Sequence, residues 1–471
     1  MELDFSLIHK YQFDHKYIVL DVDSGLVHDV SPEFYHYLDA LEQSAGRLDQ
    51  AKSRMLADWP DTLPGEPDGL AELVEEMRAQ GTLFSDNKGL LDYQPPRDRV
   101  VKALCLHAAH DCNLRCRYCF AGTGAFGGHR ALMSVETGKA ALDFLFGASQ
   151  KRVHIEVDYF GGEPLMNFDA VRQWILYARE EGAARGKLVK QTLTTNGLLL
   201  TDEILSFLNQ HDVALVLSLD GRKNVHDHMR PFPSGKGSYD AVLPRLKAAA
   251  ASRNYGNYYL RGTFTRYNLD FCRDAAHLLE EGFDIISIEP VVTGGGAPYA
   301  LKIEDIPAIR EEYEKLTRFW LEKYNAGEGF NFFHFNVDLN QGPCLPKRLS
   351  GCGAGREYMA VAPDGVLYPC HQFVGAEEFQ IGNVFQGIQR EDIGETFQKN
   401  HVLNKPACRG CWARFYCGGG CHANAWHQNG ALSQPYEIGC LLERKRLECA
   451  LFLQVMLYEN KSENESDEYF L

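Results

Sequence analysis

The chain has no excess of basic residues, no cluster of Lys and Arg, and no long apolar run. It carries 48 Lys and Arg against 64 Asp and Glu, a formal net charge of -16, which argues against a nucleic-acid surface because such a surface shows a basic stripe. No apolar run is long enough to span a bilayer. Residues 1–5 have no basic flank before an apolar stretch, so no signal peptide is predicted. We expect a cytoplasmic protein with no nucleic-acid and no membrane partner.

What the chain does have is cysteine. In a reducing compartment its 14 cysteines are better explained as metal ligands than as disulfides. The length of 471 residues is too great for a single core, so about two to four domains are expected. The mean hydropathy of -0.30 is that of an ordinary soluble globular protein.

Three cysteines share one predicted loop with the spacing C-x3-C-x2-C: Cys112, Cys116 and Cys119. Three thiolates on one loop bind three irons of a cubane cluster and leave the fourth iron open to a chelating small molecule. Structural zinc is the alternative, but such sites usually pair two ligands per short turn and close with a second pair. The spacing therefore favours an iron–sulfur cluster.

The rest of the chain divides into recognisable parts. Residues 17–30 predict a β-hairpin, helices follow near 34–41 and 70–77, and residues 82–84 are expected to return as a strand. From about 100 to 325 strands alternate with helices, which is typical of a mostly parallel sheet. We expect its strands near 100–107, 153–160, 188–195, 213–219, 257–265 and 284–291.

Polar residues follow three of these strands. Gly161-Gly162-Glu163-Pro164 follows the second, and similar clusters at 194–197 and 218–221 end the third and fourth. Paired glycines let the backbone approach a ligand closely, and a glutamate accepts hydrogen bonds from an ammonium. Turn formation is the commoner role of such residues, so the residues alone leave both readings open.

The C-terminal third holds eight further cysteines: Cys344, Cys352, Cys370, Cys408, Cys411, Cys417, Cys421 and Cys440. Two sets of four thiolates fit two zinc ions as well as two iron–sulfur clusters. Three other cysteines lie in apolar strand or helix patterns and are expected to be core residues: Cys105, Cys272 and Cys449.

The loop from His110 to Phe120 resembles the signature of the radical S-adenosylmethionine (SAM) enzymes, and the C-terminal cysteines resemble the SPASM pattern with two further clusters. The resemblance implies an α/β fold whose centre is a partial (β/α)6 barrel. It implies a winged-helix-like leader-peptide recognition domain at 1–95, the radical SAM barrel at 100–325, a bridging region and SPASM domain at 326–450, and an acidic tail at 451–471.

The resemblance also implies SAM and three 4Fe–4S clusters. The SAM-binding cluster takes Cys112, Cys116 and Cys119, and the two auxiliary clusters take two sets of four: Cys344, Cys352, Cys370 and Cys421, then Cys408, Cys411, Cys417 and Cys440. Whether Cys344 closes the first auxiliary cluster or leaves it open is not decided. The implied SAM contacts are Tyr118, Gly161, Gly162, Glu163, Pro164, Thr195, Asn196, Ser218, Asp220 and Arg230. No catalytic residue is assigned, and His371 is expected to be a core residue or to lie behind a ligand.

Four segments, 105–112, 119–124, 261–268 and 370–375, extend the resemblance to the SCIFF (six-cysteine) peptide maturases. These enzymes use a 5′-deoxyadenosyl radical to build thioether bridges of the ranthipeptide or sactipeptide kind. The implied partners are a Cys-rich precursor peptide, bound through its leader by strand addition, and an external electron donor of the flavodoxin or ferredoxin type.

Two alternatives remain. Sulfatase maturation oxidises a Cys or Ser to formylglycine and shares the SPASM domain, but its pattern places an Asp where this chain has His371. The other alternative is a peptide-binding scaffold that carries zinc or clusters and has no turnover.

Overall fold

The N-terminal unit is a three-stranded antiparallel sheet followed by three helices. The computed structural model describes residues 3–61, 63, 65–85, 93–293, 296–337, 339 and 345–468, without the side chains of 345–347 and 460–468. The elements of this unit are β1 (Ile8–Phe13), β2 (Lys16–Asp21), β3 (Val27–Val30), α1 (Pro32–Gln43), α2 (Leu48–Asp58) and α3 (Glu66–Ala79). The predicted hairpin of β2 and β3 and the first predicted helix are confirmed. The side chain of Ser31 caps α1 by accepting from the amide of Phe34.

Two features of this unit differ from the expectation. The strand predicted at 82–84 is wrong, because those residues form bends and the carbonyl of Thr82 contacts the ring of His28 at 2.7 Å instead of joining a ladder. The strand β1 was not predicted. It pairs with β2 through a tight turn at Asp14, whose φ is +49°. The sheet order β1-β2-β3 leaves β3 at an edge.

The central unit alternates strands and helices as predicted. Its elements are β4 (Ala103–Ala109), α4 (Val135–Ala148), β5 (His154–Gly161), α5 (Phe168–Ala184), β6 (Leu188–Thr195), α6 (Asp202–Gln210), β7 (Ala214–Ser218), α7 (Lys223–Met229), α8 (Tyr239–Ala251), β8 (Tyr258–Phe264), α9 (Phe271–Glu280) and β9 (Ile285–Pro290). All six expected strands are present, and they pair in parallel in the order β4 to β9. The sheet is therefore an open, partial barrel, and the carboxyl ends of its strands share one edge.

The same sheet continues at both ends. After β9 come α10 (Ile306–Asn325) and the short β10 (Asn331–Phe332), which pairs in parallel with β9. At the other end β11 (Tyr358–Val361) pairs in parallel with β4. The C-terminal, cysteine-rich region is thus joined to the barrel by a backbone ladder rather than by side-chain contacts alone.

The remaining elements of the C-terminal region are short, except for the last helix. They are α11 (Leu345–Ser350), β12 (Val366–Tyr368), β13 (Gly382–Asn383), β14 (Gly387–Ile388), α12 (Glu391–Lys399), α13 (Pro406–Arg409), α14 (Arg414–Cys417), α15 (His422–Asn429) and α16 (Glu437–Glu468). None of the helices within the described ranges combines the length and apolarity needed to cross a membrane.

The helix α16 continues through residue 451, where we expected an acidic tail to begin. Leu451, Phe452 and Leu453 are buried, because this turn of the helix packs into the protein. The ring of Phe452 stacks on Phe13 of β1 with 4.3 Å between centroids, and the hydroxyl of Tyr11 donates to the carbonyl of Glu448 at 2.7 Å. The helix therefore fixes the N-terminal unit to the rest of the molecule.

Two glycines of α4 provide a test of how this helix packs against α5, which carries Trp174. A Cβ atom on Gly138 would lie 2.1 Å from the indole of the buried Trp174, whereas one on Gly147 would meet nothing within 4 Å. We expect Gly138→Ala to destabilise the protein by about 1–3 kcal/mol through overpacking. Gly147→Ala should be neutral or stabilising by about 0.5–1 kcal/mol, because Ala loses less backbone entropy in a helix. Thermal unfolding followed by circular dichroism measures both, and equal melting temperatures for the two variants would contradict the packing described.

Candidate active site

The three-cysteine loop begins directly after β4, at the edge where the parallel strands end. Backbone hydrogen bonds from Arg115 to the carbonyl of Pro231 (2.9 Å) and from Arg117 to that of Met229 (2.8 Å) hold the loop in place. Burial, together with a smaller effect of the neighbouring loop thiols, raises the pKa of Cys112 to about 12 and that of Cys116 to about 11. The structure therefore brings the three thiols into one partly buried group.

This donor set fits an iron–sulfur cluster. Several partly buried thiolates are unfavourable unless a positive group lies among them, and iron supplies that charge. Among the described residues, no three His, Cys, Asp or Glu side chains are close enough together to hold one metal ion. The ligands of a cubane each bind a different iron, so this finding concerns single ions and not clusters.

The Gly161-Gly162-Glu163 segment is joined to the cysteine loop by its backbone. The amide of Gly162 donates to the carbonyl of Ala109 at 2.7 Å, and that of Glu163 to the carbonyl of Asp111 at 2.9 Å. A Cβ atom on Gly162 would lie 2.0 Å from the Asp111 oxygen, and one on Gly161 would lie 2.3 Å from the Ala109 oxygen. The absence of Cβ atoms is therefore required by the contact between two segments of the chain, and the contact of these glycines with SAM stays a prediction.

Glu163 is buried and its carboxylate has three donors from the protein. It accepts from the hydroxyl of Thr195 at 2.8 Å, from the amide of Asn196 at 2.9 Å and from the amide of Leu165 at 3.1 Å. The last contact caps the short 3-10 turn that begins at Pro164. Burial raises the pKa of Glu163 to about 7 in spite of these donors. The carboxylate therefore ties the end of β5 to the end of β6.

Asn196 carries this connection on to the cysteine loop. Its side-chain amide donates to Oδ1 of Asn113 at 2.8 Å and contacts Sγ of Cys112 at 3.8 Å. Its own Oδ1 accepts from the amide of Leu198 at 3.0 Å. Asn113 was not among the predicted site residues, and nothing in the C-x3-C-x2-C pattern marks it.

The residue before the third cysteine belongs to a second buried polar group. The hydroxyl of Tyr118 donates to Asp220 at 2.6 Å, and Nε of Arg230 donates to the same carboxylate at 3.0 Å. The amide of Thr263 also donates to Asp220 at 3.0 Å, and the guanidinium of Arg230 lies over the ring of Tyr118 at 5.4 Å. The chain itself thus supplies three donors to Asp220, whose role as a SAM contact stays a prediction.

Arg230 also acts on the cysteine loop. Burial raises the pKa of Cys116, while the positive charge of Arg230 lowers it. Ser218, the last residue of β7, lies in register with Arg261 of β8. The structure thus places Tyr118, Ser218, Asp220 and Arg230 on the same edge of the sheet as the cysteine loop.

His371 belongs to the C-terminal region, and its side chain lies next to the cysteine loop. Its ring is 5.5 Å from that of Phe120, which follows Cys119, and 5.3 Å from that of Phe160. Its Nδ1 is 3.0 Å from the hydroxyl of Tyr358. Burial, together with the positive charge of Arg261, lowers the pKa of His371 to about 4, so the ring is neutral near pH 7.

Within each of the two predicted C-terminal sets the described thiols lie near enough to raise one another's pKa, and their division into two clusters stays a prediction. In the first set burial raises the pKa of Cys370, and Cys421 and Cys352 raise it further. In the second set burial, together with Cys440 and Cys411, raises the pKa of Cys408 to about 11. Cys417 is likewise affected by Cys440. The eighth cysteine, Cys344, lies outside the described residues.

The three cysteines predicted to be core residues are covered to different extents. Cys105 and Cys449 are buried and Cys272 is half-buried. Lys405 was not predicted to matter, yet it is fully buried beside both C-terminal thiol sets. A lysine three residues before a cysteine carries no signal of such a position.

Comparison with known proteins gives two domain matches. Residues 108–265 match the model of the Radical SAM superfamily, and residues 352–412 match that of the SPASM iron–sulfur cluster-binding domain. The first match contains the loop cysteines and all the implied SAM contacts. The second contains Cys352, Cys370, Cys408 and Cys411.

Several curated proteins are similar over most of this chain. The mycofactocin maturase MftC of Mycolicibacterium smegmatis is 27% identical over 70% of this chain and 81% of its own length. A cysteine-type anaerobic sulfatase-maturating enzyme of Clostridium novyi is 22% identical over 69% and 89%. The radical SAM cyclopropyl synthase TigE of Paramaledivibacter caminithermalis is 20% identical over 83% of each.

Solved structures show the same fold. Native anSMEcpe with bound AdoMet and Cp18Cys peptide superposes with a TM-score of 0.62 at 20% identity, covering 76% of this chain and 99% of that one. Streptococcus suis SuiB bound to the precursor peptide SuiA has a TM-score of 0.51 at 15% identity, covering 93% and 100%. The chain therefore contains a radical SAM domain built on an open parallel α/β sheet, followed by a SPASM domain.

Proposed function

We propose that the protein is a cytoplasmic radical SAM peptide maturase that installs Cys thioether cross-links in a ribosomally made, Cys-rich peptide. The names of its relatives support the general reaction class, because they include a mycofactocin maturase and a sulfatase-maturating enzyme. The resemblance of segments 105–112, 119–124, 261–268 and 370–375 to the SCIFF maturases supports the thioether product.

One observation carries the proposal: the first cysteine loop faces a residue next to a C-terminal cysteine. The rings of Phe120 and His371 are 5.5 Å apart, and each directly follows a proposed cluster ligand, Cys119 or Cys370. A peptide residue held at these rings therefore lies near the loop thiols and near the C-terminal set that contains Cys370. This arrangement suits a reaction that removes hydrogen at one side and holds a thiol at the other.

Thioether formation removes two hydrogens from the peptide, one from carbon and one from sulfur. No side-chain acid or base breaks an unactivated C–H bond, so a bound cofactor must supply that chemistry. When bound, SAM and its cluster would take one electron from a donor of the flavodoxin or ferredoxin type and supply an organic radical that removes the hydrogen atom from carbon. The thiol proton would pass to solvent as sulfur bonds to that carbon, and the one electron left over would pass to an auxiliary cluster.

The chain's own residues hold and shield this centre. We assign Cys112, Cys116 and Cys119 as ligands of the SAM-binding cluster. Tyr118, Asp220 and Arg230 form one charged wall and Glu163, Thr195 and Asn196 another, both already fixed by their own hydrogen bonds. Such preorganisation lets a site bind a ligand with little reordering. We assign Cys352, Cys370 and Cys421, with Cys344, to one auxiliary cluster and Cys408, Cys411, Cys417 and Cys440 to the other.

We also propose that the N-terminal unit binds the leader of the peptide. In the register of β2 with β3, the amide of Asp21 donates to the carbonyl of Leu26. Because bonded and non-bonded pairs alternate in an antiparallel ladder, the backbone groups of Val27 and Asp29 point away from β2. An extended peptide adds to such an edge through these groups.

Sulfatase-type oxidation is the second candidate, since the curated relatives include sulfatase-maturating enzymes. The two reactions differ in their products. A thioether keeps the cysteine sulfur, whereas formylglycine made from cysteine loses it.

The assignment of the first loop predicts the result of replacing its ligands. Changing Cys112, Cys116 and Cys119 together to Ala should abolish 5′-deoxyadenosine formation and reduce bound iron by about one third, from about twelve to about eight per chain. Anaerobically reconstituted protein is assayed for iron, sulfide and SAM cleavage. Persistent cleavage in the triple variant would overturn the assignment, and two zinc ions in place of iron would favour the scaffold.

The proposed leader edge predicts a difference between two variants at one position. Asp29→Pro removes the outward amide of β3, while Asp29→Ala keeps it and loses the same ion pair with Lys16. We expect Pro to weaken leader binding about fivefold more than Ala, the effect of one net hydrogen bond of about 1 kcal/mol. Isothermal titration with the synthetic leader measures this, and equal affinities for the two variants would exclude pairing at this edge.

The product distinguishes the candidate reactions. A Cys-rich peptide encoded beside the gene, incubated with enzyme, SAM and a reductant, should lose two hydrogens per bridge and retain all its sulfur. High-resolution mass spectrometry with thiol alkylation reads both changes. Loss of sulfur with a gain of oxygen would instead establish formylglycine formation.

A further inference from the structure

Lys405 is a lysine with 0% of its surface exposed, among the largest fully buried side chains of the described residues. It directly precedes α13, and its Nζ donates to the carbonyl of Gly419 at 2.9 Å. A buried ammonium is costly unless anions compensate it. The groups around it therefore show what it is placed to do.

Those groups are thiols from both auxiliary sets. Burial lowers the pKa of Lys405, and four thiolates raise it: Cys408, Cys417 and Cys440 of one set and Cys421 of the other. By contrast, Arg444 acts on Cys408 and Cys440, which belong to one set. The charge of Lys405 thus reaches thiols of both sets, whereas that of Arg444 reaches thiols of one.

The local chain is shaped around the ammonium. Cys417 and Cys421, which belong to different sets, are joined by Gly418, Gly419 and Gly420, all with φ between +66° and +91°. Three successive residues in this left-handed region favour glycine. A Cβ atom on Gly419 would lie 3.6 Å from Nζ of Lys405 and 3.3 Å from Val402. The glycine run therefore lies close against the ammonium, and it joins a cysteine of one set to a cysteine of the other.

We propose that the ammonium of Lys405 sets the reduction potentials of both auxiliary clusters and makes each easier to reduce. Reduction adds a negative charge to a cluster, and a nearby cation in a low-dielectric site stabilises the reduced form. Because thiols of both sets lie within electrostatic reach of Lys405, its charge acts on the two clusters together. The inference rests on the proposed function only in requiring that the two thiol sets hold clusters.

The experiment compares full-length, anaerobically reconstituted wild-type protein with Lys405→Met. Redox titration followed by electron paramagnetic resonance gives the midpoint potentials, and the signals insensitive to added SAM are those of the auxiliary clusters. We expect both potentials to become more negative in the Met variant. Lys405→Arg, which keeps the charge, should lie nearer wild type, and Lys399→Met, which removes an exposed lysine, should change neither.

Each outcome has a meaning. Unchanged potentials in Lys405→Met with full iron content, or a shift of one cluster alone, would overturn the inference. If Lys405→Met and Lys405→Gln both lose auxiliary iron while Lys405→Arg retains it, the charge is required for the clusters to be held, which supports it. Loss of iron in all three variants would show that the shape of the lysine, and not its charge, matters. Absence of auxiliary iron in the wild-type protein would overturn the proposed function as well.

Discussion

Two backbone hydrogen bonds hold the cysteine loop against the end of β5, and the candidate site depends on them. They run from Gly162 to Ala109 and from Glu163 to Asp111. Such an approach leaves no room for a Cβ atom, so the glycines serve the contact between two segments of the chain. Once the segments are joined, the buried carboxylate of Glu163 and the amide of Asn196 extend the connection to β6 and back to the loop. These hydrogen bonds together position the loop that carries the three thiols relative to β5 and β6.

The buried charges of the site also have partners within the chain. Asp220 is fully buried and accepts from Tyr118, Arg230 and the amide of Thr263. In the C-terminal region, Lys405 is buried within electrostatic reach of thiols of both predicted sets. Buried charges persist when they are paired, and here each cation lies next to a thiol group that iron would keep ionised. Arg230 and Lys405 thus have corresponding positions, one beside the loop and one near thiols of both auxiliary sets.

The second domain is joined to the first by the sheet itself. Strand β11 pairs in parallel with β4, the strand that leads into the cysteine loop. The next strand, β12, ends two residues before Cys370. One continuous ladder therefore sets the distance between the loop and the auxiliary cysteine, and the contact of Phe120 with His371 follows from it. The N-terminal unit is attached less directly, through the packing of β1 against α16.

The sequence by itself determined the six parallel strands and the cysteine loop, because hydrophobic periodicity and the spacing within one loop are local signals. The division of the C-terminal cysteines into two sets came from the family resemblance and stays a prediction. The sequence did not reveal β1, the extension of α16 past residue 451, or the absence of a strand at 82–84, since these depend on what packs against each segment. Nor did it show that Glu163 and Asp220 are occupied by the chain's own donors. Only the tertiary structure decided that, and only it placed Lys405 near thiols of both sets, because burial and the pairing of distant charges have no signature in neighbouring residues.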